Sequence, residues 1–278
     1  MSAERGAKIA LTGAAGSLAS DIIPQLLDAG YSLVCVDRVV PAESYGQEWV
    51  ITEVTETETL AAAFADCAAV VHLAGIPLED DWDRILSANI DGTHSVLEAA
   101  RLAGVPRAVL ASSIHAAGFT PVPQDGSRIP DATPVRPNTL YGVSKAAVEA
   151  LGSYYSDRYG MDVACLRIAS RFEKPRDVRM LSTWLSPADA GRLFIATLAG
   201  SWQGYRIIWG VSANTRSYLS PEAGAAIGYV PQDDAEEHAR GLTGPQAPPG
   251  AVETIWDRTY IGGVFCSPQP PRQPSMHS

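Results

Sequence analysis

The stretch "LTGAAGSLAS", Leu11–Ser20, sets Gly13 and Gly16 between an apolar strand pattern, "KIALT" (8–12), and a helical pattern near 16–29. A glycine-rich turn at such a junction lets main chain approach a pyrophosphate, while the helix N-terminus offers unpaired amides and partial positive charge. Ala19 fills the third position of the fingerprint with a small side chain, and Ser17 and Leu18 open the helix beside the expected phosphates. Glycine also closes ordinary turns, so the reading rests on the strand before and the helix after. Asp37 ends the next strand pattern, "SLVCVD", about 20 residues on, where a carboxylate accepts both hydroxyls of an adenosine ribose and repels a 2′-phosphate. The cofactor expected is therefore NAD rather than NADP, although a guanidinium such as the adjacent Arg38 can tolerate the phosphate.

Outward from this loop the chain alternates strand and helix. After "SLVCVD" come a helical pattern near 56–65, "AVVHLAG", a helix near 82–103, "RAVLASS", a helix over about 140–159, "MDVACLRIAS", a helix over about 187–199 and "YRIIWGVSA". The continuous aliphatic runs suit strands covered on both faces, so the expected fold class is α/β, a doubly wound parallel sheet (Rossmann fold) with a small C-terminal substrate-binding region. We expect a single domain over 1–266, with substrate-binding elements mainly from 170–265, and an extended or mobile Pro/Ser-rich tail over 267–278.

The totals agree with a soluble globular chain. It has 278 residues, 46% hydrophobic and 19% charged, enough to bury a core without disulfide staples. A formal net charge of -10 argues against general binding to a phosphate backbone, so no nucleic acid partner is expected. Cys35, Cys67, Cys165 and Cys266 form no CxxC pair and no metal-type spacing, so they read as reduced, mostly buried thiols and no metal is expected. The first strand pattern starts by Lys8, which leaves no room for a signal peptide, and no apolar run is long enough to span a membrane. The expectation is a cytoplasmic protein without a membrane partner.

Two further stretches carry chemistry. "SSIHAAGF", Ser112–Phe119, ends a buried strand in two hydroxyls, an isoleucine and an imidazole, groups suited to a cleft. In "LYGVSKAAVEAL", Tyr141 and Lys145 are four apart and share one helical face. An ammonium near the phenol, with a positive nicotinamide ring, favours the phenolate and makes the tyrosine a base. Alone the pair is equally a core-edge tyrosine and a solvated lysine; downstream of the phosphate loop and strand-end serines it reads as catalytic.

The segments "TGAAGSLA", "HLAG", "ASS", "YGVSK" and "LRIAS" resemble the extended short-chain dehydrogenase/reductase (NAD-dependent epimerase/dehydratase) superfamily. More narrowly, "HLAGIPLEDDWDRILSANIDGTHSVLEAAR", "RMLSTWLSP" and "IIWGVSAN" resemble the NAD-dependent uronate dehydrogenases. That resemblance implies oxidation of a hexuronate, a small-molecule acid sugar, at its anomeric carbon to an aldarolactone, in a homo-oligomer. It implies Tyr141 as base, Lys145 as its partner and ribose ligand, and Ser113 holding the reacting hydroxyl. Leu73, Ala74 and Gly75 would line the cofactor path, Glu53 and Val54 the adenine, Ile168 the nicotinamide, and Asn89 would support the proton relay near the cofactor. Asn89 is equally readable as a helix hydrogen bond. Ser170, His115 and Arg179 would contact substrate, Arg179 by pairing its carboxylate, although a surface salt bridge in "KPRDVRM" is its plain alternative.

The pattern departs from those dehydrogenases at two substrate positions. Ile114 stands where Asn is usual and Pro77 where Ser is usual. If both face the sugar, the pocket is less polar, and Ile114→Asn is expected to raise kcat/KM for hexuronates. The competing readings are a nucleotide-sugar epimerase or dehydratase and a non-catalytic NAD-sensing regulator.

Overall fold

The computed structural model describes residues 6–243, 247–248, 250–251 and 253–272. Seven parallel strands form the central sheet: β1 (Lys8–Thr12), β2 (Ser32–Asp37), β3 (Glu48–Ile51), β4 (Ala69–His72), β5 (Arg107–Ser113), β6 (Asp162–Ile168) and, after two short strands, β9 (Tyr205–Gly210). Their spatial order is β3-β2-β1-β4-β5-β6-β9. The order reverses between β1 and β4, and in such sheets ligands bind in the crevice beyond the strands' carboxyl ends at that point.

Strand alternation sorts the core into two layers. Ile9 and Leu11 of β1 face a cluster with Ile22, Ile23 and Leu26 of α1 (Ser17–Asp28) and Leu193 and Phe194 of α7 (Pro187–Ala199). Ala10, between them, faces the opposite cluster, where Leu60 of α2 (Thr57–Ala63), Leu97 of α4 (Gly92–Leu102) and Val148 of α5 (Leu140–Tyr159) pack. Truncating a fully buried side chain here, such as Ile22→Ala, costs about 2–5 kcal/mol through lost burial and the cavity left behind. Every residue of β5 is buried, which suits the apolar run Ala108–Ala111 at its centre.

The doubly wound fold is as expected, with three refinements. First, β3 carries no strong strand pattern, because it lies at the sheet edge with Glu48 and Ile51 exposed. Second, the helix expected near 82–103 is α3 (Trp82–Ile85) and α4 joined by a π-helical turn, Leu86–Asp91, in "SANIDG". Third, the start of the tail is anchored: Arg272 bridges to Glu79 and its Nη2 lies 2.8 Å from Asp81 Oδ1. Residues 273–278 of the expected tail lie outside the described residues. Beyond the sheet, β7 (Ser170–Arg171) pairs with β8 (Trp184–Leu185), which follows α6 (Met180–Thr183). All four cysteines are buried free thiols.

Candidate active site

At the switch point lies a groove of about 840 Å³, lined among others by Gly13, Gly16, Asp37, Glu53, Val54, Leu73, Ala74 and Gly75. That volume falls within the ~300–1,000 Å³ of small-molecule sites. Gly13 has φ +73°, and a Cβ there would meet the Ala74 amide nitrogen at 2.5 Å, so only glycine lets the loop lie so close to the end of β4. Gly16 caps α1 without any side-chain hydrogen bond, and no acid occupies the first helical turn. The first amides of α1, at Ser17 and Leu18, lack acceptors within the helix and so suit an anion. Asp37 accepts the Ala15 amide on Oδ2 (2.9 Å) and the Arg38 amide on Oδ1 (2.7 Å). Two protein bonds leave a carboxylate further acceptor capacity for a ribose diol. Glycine cradle, uncapped helix and fixed carboxylate together fit a dinucleotide.

Asn89 stands behind this groove rather than in a helical hydrogen bond. Its Oδ1 accepts the Ile76 amide (2.7 Å), and its Nδ2 donates to the Ile76 carbonyl (3.1 Å) and to Ser144 Oγ (2.9 Å). Ser144 donates to the Tyr141 carbonyl (2.7 Å), so the π turn ties the groove wall to the first turn of α5. A Cβ on Gly75, at φ +145°, would meet Asn89 Oδ1 at 2.8 Å.

The residues expected to carry the chemistry stand on β5 and α5. Strand alternation sends Ser112 to the buried Glu149 carboxylate (2.6 Å), itself paired with Arg167, and turns Ser113 the other way, where its Oγ accepts the His115 amide (3.2 Å). Helix α5 begins with two caps, Thr139 Oγ1 on the Gly142 amide (2.8 Å) and Glu79 Oε2 on the Tyr141 amide (3.1 Å). Lys145 Nζ donates to the Ala111 carbonyl (2.7 Å) and lies 5.6 Å from the Tyr141 ring centre. Burial pushes the Tyr141 phenol up to about 12, against the lowering effect of the nearby Ser113 hydroxyl, and pushes Lys145 down to about 8. A further positive charge beside the phenol is what would bring it into working range.

Three of the expected substrate residues, His115, Ser170 and Arg179, gather beyond Ser113. His115 Nδ1 faces Asn138 Oδ1 at 3.1 Å, and burial, reinforced by the Arg179 charge, lowers its pKa to about 4. A neutral ring donating through Nδ1 keeps Nε2 as an acceptor. Phe265 and Tyr141 flank the imidazole at 4.6 and 5.9 Å between ring centres. Arg179 is buried, not a surface ion-pair partner; Nη1 donates to the Ile261 carbonyl (3.1 Å), Nη2 to Ser170 Oγ (3.1 Å), and Nε lies 3.7 Å from Asp257 Oδ1. Thr183 Oγ1, 2.9 Å from Ser170 Oγ, completes this cluster.

Ile114 does not join it as a polar-contact position. Ile114 is only 2% exposed and packs with Ala117, Ile129, Trp209, Val211, Leu219 and Ile261, so an asparagine there would enter an apolar cluster. Pro77 is exposed in the loop after β4. Ile168 ends β6, the strand whose partner across the sheet ends in Ser113. Sequence reasoning missed Glu79, Asn138, Thr183, Asp257 and Phe265. Only Asp257 carried a local signal, as the N3 residue of the capping box that Thr254 begins.

Comparison with known proteins gives a consistent picture. The profile of the NAD dependent epimerase/dehydratase family matches residues 9–219. The chain is 33% identical over 262 residues to the uronate dehydrogenase of Pseudomonas putida, covering 93% of this chain and 95% of that one. It is 36% identical over 254 residues to the NAD-dependent glucose-6-phosphate dehydrogenase of Haloferax volcanii, covering 82% and 94%. Among solved structures, a mutant of the Agrobacterium tumefaciens uronate dehydrogenase complexed with NAD superposes with a TM-score of 0.85 at 33% identity, covering 96% of this chain and 99% of that one. No helix among the described residues is long and apolar enough to cross a membrane.

Proposed function

The chain belongs to the NAD-dependent epimerase/dehydratase family as a uronate dehydrogenase-like member, and on that premise we propose that it oxidises a hexuronate or related acid sugar at its anomeric carbon to the aldarolactone. It is an NAD-dependent dehydrogenase acting on CH–OH. Bound NAD supplies the hydride acceptor and, when oxidised, a positive charge beside the phenol. Tyr141, as phenolate, removes the proton of the hemiacetal hydroxyl while Ser113 Oγ holds that oxygen. Lys145, fixed by the Ala111 carbonyl, keeps a positive charge at the ring and reaches the ribose. His115 accepts a sugar hydroxyl through Nε2, and Ser170 orients Arg179. The sugar-facing groups come mainly from 170–265 of one domain spanning 1–266.

The acid-sugar reading rests on Arg179. Of its five N–H donors, Nε faces Asp257 and one on each terminal nitrogen is bonded within the protein. One donor on each of Nη1 and Nη2 remains among the described contacts, the paired geometry that receives a carboxylate. A sugar phosphate is the second reading, favoured by the Haloferax relative, because the same fork accepts phosphate oxygens. Purified protein with NAD is tested on glucuronate, galacturonate, glucose and glucose 6-phosphate, following NADH absorbance. NADH formation on the uronates supports the proposal. Turnover of glucose 6-phosphate alone would replace the uronate with a phosphorylated aldose.

A further inference from the structure

Arg171 has no part in the chemistry described so far, yet it reaches the phosphate cradle. It neighbours Ser170 on β7, and strand alternation turns the two side chains to opposite sides. Ser170 faces Arg179 in the sugar site, whereas Arg171 Nη2 donates to Ser17 Oγ (2.7 Å) on the first residue of α1. Its Nη1 pairs with Asp21, one turn further along that helix. The Arg171 side chain is only 18% exposed, so this guanidinium is held against the helix rather than free in solvent.

The electrostatics of α1 give that placement a purpose. The helix starts without a side-chain cap and without an acid in its first turn, leaving its amides for an anion. Asp21 is the acidic side chain nearest that end within the helix, and its charge opposes a bound diphosphate. Arg171 neutralises Asp21 and keeps further N–H donors beside Ser17. We infer that Arg171 is a further cofactor-binding residue, a second, charged anchor for the cofactor diphosphate that joins the phosphate loop to the strand carrying the substrate-orienting Ser170. The inference rests on the NAD reading above and extends it to a side chain outside the glycine fingerprint.

The test separates a diphosphate contact from a structural clamp between α1 and β7. Calorimetric titration with ADP and with adenosine is carried out on wild type, Arg171→Ala, Arg171→Lys and Asp21→Asn, with thermal unfolding of each as a folding control. Loss of a charge-assisted contact predicts about tenfold or more weaker ADP binding by Arg171→Ala with adenosine binding unchanged, and partial recovery in Arg171→Lys. Asp21→Asn, which breaks the same ion pair but leaves the guanidinium, is expected to bind ADP within about twofold of wild type or more tightly. Equal ADP losses in Arg171→Ala and Asp21→Asn, or a parallel loss of adenosine binding, would reduce Arg171 to a clamp and overturn the inference. Unchanged ADP binding by Arg171→Ala would overturn it while leaving NAD binding standing. Wild-type protein that binds neither nucleotide would overturn the cofactor assignment itself.

Discussion

The two ends of the active-site cleft are built from different materials. The end above β1, β2 and β4 is largely main chain: glycines whose missing Cβ atoms allow close approach, helix amides, and an Asp37 held by neighbouring amides. The end beyond β5 and β6 is built of side chains that hold one another, Arg179 on Ser170, Ser170 near Thr183, His115 on Asn138. A main-chain site recognises what all dinucleotides share and tolerates little change of backbone. A side-chain site is where selectivity between sugars can be altered one residue at a time.

Substitutions at the two ends should therefore fail differently. The largest effect is expected at the junction: Tyr141→Phe removes the proposed base and should lower kcat by about 10²–10⁴ with NAD affinity retained, as steady-state kinetics and calorimetry would show. Comparable turnover by the phenylalanine variant would assign the base elsewhere. At the main-chain end, Gly13→Ala forces a Cβ to 2.5 Å from the Ala74 nitrogen at a positive φ, and should cost about 1–3 kcal/mol in thermal unfolding together with most NAD affinity. At the side-chain end, Ile114→Asn places an amide among apolar neighbours and should destabilise by about 1–3 kcal/mol without raising kcat/KM for uronates. A faster enzyme with that substitution would mean the side chain reaches the sugar after all.

The smallest effect is one of pH. His115 and His72 both titrate low, near about 4 and about 3, chiefly because burial disfavours their charged forms. Their folded values lie below the unfolded imidazole value, so the unfolded chain binds more protons between the two, and stability should fall as pH drops from about 6.5 toward 4. His115→Asn should flatten part of that slope in denaturant unfolding at pH 6.5, 5.5 and 4.5. An unchanged slope would leave His72 as the acid-sensitive group.

The same contrast explains what the sequence made legible. Gly13, Gly16 and Asp37 follow a spacing imposed by one strand-turn-helix unit, and Tyr141 with Lys145 by one helical face, so local pattern reveals them. Glu79 caps the Tyr141 amide from 62 residues away, and Asn138 meets Cys266 across 128. No local rule announces such pairs. Ile114 was legible as a departure from a family pattern but not in direction, because position in sequence does not say which side of the 3₁₀ turn Ile114–Ala117 a side chain takes. β3 escaped notice for a related reason: an edge strand with exposed ends lacks the apolar run that marks its neighbours.

The central claim, that a fixed guanidinium in the side-chain end selects an acid sugar, is tested most directly by the ratio of kcat/KM for glucuronate to that for glucose in wild type and in Arg179→Ala, with NAD binding measured on both. The account predicts a strong uronate preference in wild type that collapses by about tenfold or more in the variant while NAD affinity holds. An unchanged ratio, in a variant that still binds NAD, would contradict it.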